Sequence, residues 1–395
     1  MDQVSAQFPG GLRQRLLTLR RDLHRSPELS FHEEETGARL YDELAALGPL
    51  ELDRVAGTGV IARIKGEDPE APVVAVRGDI DALPIQEDTG LAYASENAGV
   101  MHACGHDVHA TWTVGAAYLL ASRPARGDVL VLLQPAEETG RGASAVLESG
   151  ALTDAAAIFG AHVDRRFKVG QVVAQAGPLA AAADNFTVEL LGSGSHGARP
   201  HEGIDPIIGA GALIGALQTI VSRRISPGTP AVVSVGMVRA GTAPNIIPDT
   251  ALVAGTLRAS DPDTRKTLHE EVRRTAERTA EAHRLKARVS LELGPPPIVS
   301  REASVVWARQ AVTALLGPAA LVPLGTLNMA AEDFAFYLED RHGCFVRIGA
   351  CEEGGDFIPV HTPRFYAADE SIFVGAAVLA ESARVAAASL AAAAG

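Results

Sequence analysis

Cysteine is scarce, with 3 in 395 residues. So few, and an odd number, cannot build a disulfide framework, and a reducing compartment fits better. Positive charge is short as well. The 35 Lys and Arg face 48 Asp and Glu, giving a net charge of −13 and a pI of about 5.4. A chain this acidic repels a phosphate backbone, which excludes nucleic acid as a main partner. Long apolar runs are missing too. The longest near the C-terminus, 371–380, is cut by Glu381 and Arg384 and is too short to span a bilayer. Residues 1–10 hold an acid, a proline and no apolar run, unlike a secretory signal. The expectation is a soluble cytoplasmic protein with no membrane partner.

What is present is an ordinary globular composition, 47% apolar and 21% charged. At roughly 100–200 residues per domain the chain holds two or three domains. The first part alternates helix and strand. Residues 14–25, 33–47, 108–122 and 143–149 read as helices, and 73–76, 129–133 and 157–159 as buried strands. That alternation implies an α/β fold with a mainly parallel sheet. The middle changes character. Strand 186–191, helix 205–224, strands 231–238 and 250–257, a helix from Asp261-Pro262 to 283, and strand 287–293 follow the split-βαβ, ferredoxin-like order. Gly177-Pro178 and Gly294-Pro295-Pro296-Pro297 punctuate its ends. The division is therefore 1–178, an inserted 179–295, and 296–395 returning to the α/β pattern through 305–316, 333–338, 344–348 and a final helix from Glu370.

The polar residues gather where the apolar strands end. Asp79 and Asp81 follow one strand, Glu137 and Glu138 another, and His162 ends a third. An open parallel sheet binds ligands at the carboxyl ends of its strands, so these residues converge on one edge. Cys104-Gly105-His106-Asp107-Val108-His109 opens a helix and brings a thiol and imidazoles, and His361 comes from the late return. Sulfur, imidazole and carboxylate together suit Zn²⁺, Mn²⁺ or a similar divalent ion. The donors exceed what one tetrahedral ion takes, so two metals are the natural reading. Adjacent Glu137 and Glu138 cannot both point the same way, so one can bind metal while the other moves protons.

The segments RRDLHRSPELSFHEEET, RGDIDALP, HACGHDVH, LLQPAEE, GAHV, SHGARPHEGIDP, NIIP, AAEDFAFYLE and HTPRF run in order from Arg20 to Phe365, within a match that extends to about Glu370. Together they resemble the amidohydrolase branch of the di-metal aminoacylase and carboxypeptidase superfamily, which includes hippurate hydrolases, N-acyl-amino-acid amidohydrolases and auxin-conjugate hydrolases. The resemblance implies a catalytic domain whose inserted domain is a lid and dimerisation module. It implies Cys104 as a bridging thiolate, His106 and His162 completing one metal site, and Glu138 and His361 completing the other. Glu137 would be the general base. His196, in the lid, would reach a neighbouring subunit's site to stabilise the oxyanion. Asn245 and Arg258 would hold the substrate carboxylate, and Asp81 would orient a metal ligand. His106 takes the metal role that a histidine at the place of Asp79 has in most of the superfamily. Two metal ions per subunit follow, Mn or Zn, with Co or Ni as alternatives. The substrate is an N-acyl amino acid and the working unit a homodimer or larger homo-oligomer. Asp164-Arg165-Arg166 and Ser195 depart from the residues commoner in relatives.

Other readings stand beside these. Within enzymes the rival is a di-metal dipeptidase or carboxypeptidase, and outside them a catalytically silent metal-binding dimer. His109 and His24 read as structural, Cys344 and Cys351 as free thiols without a catalytic part, and Asp79 and His201 stay open between structure and support. Gly192-Ser193-Gly194-Ser195-His196-Gly197 fits G-x-G-x-x-G, but Pro200 and Gly203 prolong a loop where a dinucleotide site needs a helix.

Overall fold

The computed structural model describes residues 1–394. The chain divides into two compact units. One comprises Met1–Gly177, Ser300–Gly325 and Asp333–Gly395, and the other Pro178–Val299 with Thr326–Glu332. The inserted unit thus also gathers a short segment from the late part of the chain.

The first unit is built on a seven-stranded sheet. Across it run Glu51–Val55, Gly59–Ile64, Val129–Gln134, Val73–Asp79, Ala155–Lys168, His342–Cys351 and Val172–Val173. The three central pairings are parallel and the outer ones antiparallel. The parallel strands are apolar throughout because both faces are covered; Val129–Gln134 is buried at every position. Helix His106–Ser122 is buried almost all round, as a central core helix must be. Its neighbour Glu370–Ala394 comes close enough that a Cβ at Gly375 would sit 2.2 Å from the Trp112 ring. Only a residue without a side chain permits that approach.

The final helix corrects one expectation. At 25 residues it is long and apolar enough to cross a bilayer, yet 78% of its most apolar window is buried within the protein. Glu381 does not cut it, because that carboxylate pairs with Arg123 and Arg384 at the helix's polar edge. Helix Pro206–Arg224 passes the same length and composition test, with 33% of its window buried.

The second unit is a four-stranded antiparallel sheet in the order Ala231–Ala240, Thr250–Ala259, Ala182–Leu191, Lys286–Glu292. Helices Pro206–Arg224 and Pro262–Ala282 contribute Leu213, Leu217, Leu268 and Val272 to one apolar cluster with Phe186, Val188 and Leu190. Each helix starts as its sequence requires. Asp205 accepts from the Ile207 N–H and Asp261 from the Thr264 N–H, with proline at the first helical position. This is the ferredoxin-like plan.

Candidate active site

Strand Val73–Asp79 ends in Asp79, and Asp81 follows it. Strand Val129–Gln134 leads into a turn at Glu137–Thr139 through Ala136, a non-glycine residue in left-handed conformation at φ 55°. Glu33 holds that elbow by accepting from the Ala136 N–H at 2.9 Å. His162 lies inside strand Ala155–Lys168 rather than at its end. It still reaches the ligand edge, because pairing with Val73–Asp79 stops at Gly160 and the strand runs on beyond. The sequence understates this strand because His162, Asp164, Arg165 and Arg166 break its apolar run.

Cys104 and His106 flank Gly105, which caps helix His106–Ser122 at φ 90°, and a Cβ there would lie 2.6 Å from Val163. Backbone conformation and space both require glycine at this point. His361 is left-handed too, at φ 61°, and its N–H donates to the Ala103 carbonyl at 2.8 Å, which seats it beside Cys104.

Several candidate donor groups occur among the described residues, and two of them share the Cys104 sulfur. Cys104, His106 and His162 bring ligand atoms within 4.8 Å of one another, and so do Cys104, Glu138 and His361. The Cys104 sulfur stands 3.3 Å from His162 Nε2, and Glu138 Oε1 stands 3.4 Å from His361 Nε2. All five residues expected as ligands meet. The buried atoms His106 Nε2 and Glu138 Oε1 have no hydrogen-bond partner. Leaving buried polar atoms unmatched costs about 1–3 kcal/mol each. Thiolate, imidazole and carboxylate donors with orphaned atoms turned inward fit divalent cations, and the residues hold positions for two.

The electrostatics agree. Burial would push His106 down, but Asp79, Cys104 and Asp81 raise it well above the usual histidine range. Cys104 and Glu138 push His361 up to about 10. Burial and Glu138 push the Cys104 thiol up. His162 is the exception. Burial, His109 and Arg347 push it well below its ordinary value, leaving a neutral imidazole ready to ligate.

Glu137 and Glu138 lie closer together than their adjacency suggests. Glu137 Oε2 and Glu138 Oε1 each stand 3.9 Å from His106 Nε2. They separate beyond it: Glu138 faces Cys104 and His361, and Glu137 Oε1 accepts from the Asp333 N–H at 3.4 Å. The tight turn, not a splaying of neighbours, gives the two carboxylates different company.

Asp81 accepts from His106 Nδ1 at 3.1 Å, from Ser30 at 2.6 Å and from the Glu138 N–H at 3.0 Å. Asp79 pairs with Arg77 and with His109 Nδ1, both at 2.6 Å. His109 Nε2 accepts from the Val163 N–H at 3.0 Å, so both its nitrogens have hydrogen-bond partners. His24 is equally spent, on Asp107 and Glu87.

Asp333 was not singled out from the sequence. Its carboxylate accepts from Arg77, Gln134 and the Ala143 N–H, and its own N–H holds Glu137. The available signal was Arg77, a charge in an otherwise apolar strand that demands an acidic partner.

In the second unit, His196 and Asn245 are exposed and line one cavity of about 860 Å³ together with Arg239. Strand pairing brings them together: Ser195–His196 pairs with Ile246–Ile247, and the Gly197 N–H donates to the Asn245 carbonyl at 2.8 Å. Arg258 does not line that cavity. It lies on Thr250–Ala259 and donates to Thr256 Oγ1 at 2.6 Å.

Residues 75–384 match peptidase family M20/M25/M40, which takes in both donor groups, Glu137 and the whole inserted sheet. The chain belongs to that family. Its relatives in the M20 family include the N-acetyl-L-cysteine deacetylase of Bacillus subtilis, 42% identical over 94% of this chain and 88% of that protein. The IAA-amino acid hydrolase ILR1-like 2 of Arabidopsis thaliana is 37% identical over 93% and 84%. A dinuclear metal-binding M20 peptidase of Bacillus subtilis, solved by crystallography, superposes with a TM-score of 0.82 at 36% identity, covering 96% of this chain and 99% of the other. Membership bears out the resemblance carried by the motifs, and the mixed α/β architecture with an inserted domain agrees with it.

Proposed function

We propose that the protein hydrolyses the amide bond of N-acyl amino acids, giving a carboxylate and a free amino acid. One observation carries the reading: two donor groups share the Cys104 sulfur, and the Glu137 carboxylate stands beside them, 3.9 Å from His106 Nε2. The N-acetyl-L-cysteine deacetylase and the IAA-amino acid hydrolase named above act on conjugates of this class, which supports it.

Cys104, His106 and His162 would hold one ion, and Cys104, Glu138 and His361 the other, with Cys104 common to both. The mixed donor set suits manganese or zinc. Divalent ions bound there supply Lewis acidity, polarising the amide carbonyl and acidifying water. Glu137 takes the proton from the attacking water and delivers it to the leaving amine. The Asp333 N–H fixes one Glu137 oxygen, so the other is aimed. Asp81 fixes the tautomer of His106 by accepting at Nδ1, which turns Nε2 to the donor cluster. His196 donates to the carbonyl oxygen as it gains charge, and Asn245 and Arg258 hold the α-carboxylate of the substrate.

His196 would come from a second copy of the chain, making the working unit a homodimer. Three free cysteines support a reducing, cytoplasmic setting.

The test is amine release from a panel of N-acetyl and N-benzoyl amino acids and dipeptides, with Mn²⁺ or Zn²⁺ added and with a chelator. Release that needs metal and favours acyl amino acids over dipeptides supports the reading. Equal or faster cleavage of dipeptides overturns it in favour of a peptidase, and metal uptake with no release from any member overturns it altogether.

A further inference from the structure

Arg165 shares strand Ala155–Lys168 with His162, but its side chain turns away from the donor cluster and is buried, 3% exposed. It faces the segment between Cys351 and Tyr366, which has no regular secondary structure and carries His361. Arg165 Nε and Nη2 both donate to the Asp356 carbonyl, at 3.3 and 2.8 Å. Nη1 donates to Glu352 at 2.9 Å and to the Tyr366 carbonyl at 3.2 Å, while Nη2 reaches the other Glu352 oxygen at 3.2 Å. The guanidinium lies 4.3 Å from the Tyr366 ring centroid, and the Tyr366 hydroxyl donates to Glu352 at 2.5 Å. One side chain therefore ties the outgoing arm of the loop, at Asp356, to its return, at Tyr366.

His361 sits at the far end of that loop. Its φ of 61° is a conformation that costs a non-glycine residue about 1–2 kcal/mol, so the surroundings must impose it. A loop without a ladder of its own depends on side chains to satisfy and fix its backbone. The Ala103 carbonyl holds His361 on one side. Arg165 closes the loop on the other. A planar fork with five donors can do this; a lysine, with a single point of charge, cannot reproduce the bidentate grip.

We propose that Arg165 is a positioning residue for the second metal site: by clamping the 352–366 loop at Glu352, Asp356 and Tyr366, it fixes His361 beside Glu138 and Cys104. The proposal rests on the reading of His361 as a ligand. Arg165 touches neither ion nor substrate.

Metal stoichiometry and affinity test it, measured with Mn²⁺ or Zn²⁺ against a competing chromogenic chelator on the full chain. His361→Ala is the reference and should lose one of two ions. Arg165→Met should keep one ion at the affinity of the unsubstituted protein and bind the other about 10- to 100-fold more weakly, the usual cost of losing a residue that orients a ligand. Excess metal should then restore kcat, and Arg165→Lys should fall between. A purely structural role would lower the melting temperature of the chelator-stripped protein without separating the two ions. Unchanged affinity at both sites in Arg165→Met, or equal weakening of both, overturns the proposal. Two ions retained by His361→Ala would instead overturn the ligand reading beneath it. If Arg165→Met does not fold, Glu352→Gln removes one jaw of the clamp and should weaken the same single ion by a smaller factor; no selective weakening there also overturns it.

Discussion

Asp81 and His106 meet twice. His106 Nδ1 lies 2.8 Å from the Asp81 carbonyl and 3.1 Å from its carboxylate. Both partners are acceptors, so Nδ1 carries a proton and Nε2 is the nitrogen turned to the donor cluster. The same carboxylate accepts from the Glu138 N–H. A single acid thus braces one residue from each donor group.

Asp81→Ala should accordingly weaken both ions, unlike a change in the His361 loop. The expected loss is about 10- to 100-fold in metal affinity, read by chelator competition. A variant that keeps full affinity at both sites would show that the brace is dispensable.

Glu137→Gln should separate metal binding from turnover. Glutamine keeps the shape and can still accept from the Asp333 N–H, but it cannot take a proton. The rate should fall by at least about 10²-fold, while the ion count stays at that of the unsubstituted protein. Substantial residual activity with both ions bound would remove Glu137 from the role of base.

Gly105→Ala tests the backbone that separates Cys104 from His106. The new methyl meets Val163 at 2.6 Å, and the residue must hold φ 90°. Strain and overpacking together should cost about 2–4 kcal/mol, measured by denaturant unfolding of the metal-free protein. Metal affinity should fall as well, because neither neighbour can keep its place.

Much of this site is legible in the sequence, for a physical reason. Parallel strands buried on both faces are continuous apolar runs, so the acids that end them stand out, as Asp79 after Val73–Val76 and Glu137 after Val129–Leu133 do. The inserted sheet reads equally clearly, since Asp205-Pro206 and Asp261-Pro262 mark both helix starts. What escapes is held by distant partners. The hairpin Glu51–Val55 and Gly59–Ile64 lies at the sheet's edge, and the first strand is mostly exposed, without a core face to give it a period. Asp333 meets Arg77 across a separation of 256 residues, and Arg165 meets Glu352 across 187. Local pattern carries no trace of such pairings, although a buried arginine in either strand signals that an acid must be found.

The inserted unit should owe part of its acid sensitivity to Asp184. Strand Ala182–Leu191 alternates, and its inward row Ala182, Phe186, Val188 and Leu190 contains this one charge. Asp184 is buried and accepts from Arg265 at 2.6 and 2.8 Å, from His269 at 2.6 Å and from the Gly294 N–H at 3.0 Å. Burial alone would raise its pKa, but Arg265 and His269 outweigh it and hold the carboxyl below the ordinary aspartate value. A carboxyl depressed on folding contributes stability that is fully present above its unfolded pKa of about 3.9 and is lost as pH falls through the folded value. Asp184→Asn leaves Arg265 facing a neutral amide, and at pH 7 the variant should be less stable by about 3 kcal/mol. As pH falls below about 4 the gap should narrow, because the unsubstituted protein protonates the same group as pH approaches its folded value. Asp79 and Asp107 are also depressed, but they titrate in both proteins, so the difference isolates Asp184. Denaturant unfolding of the pair at pH 7 and near pH 3 measures it; a gap that stays constant across that range would mean that the contribution of Asp184 is steric and not ionic.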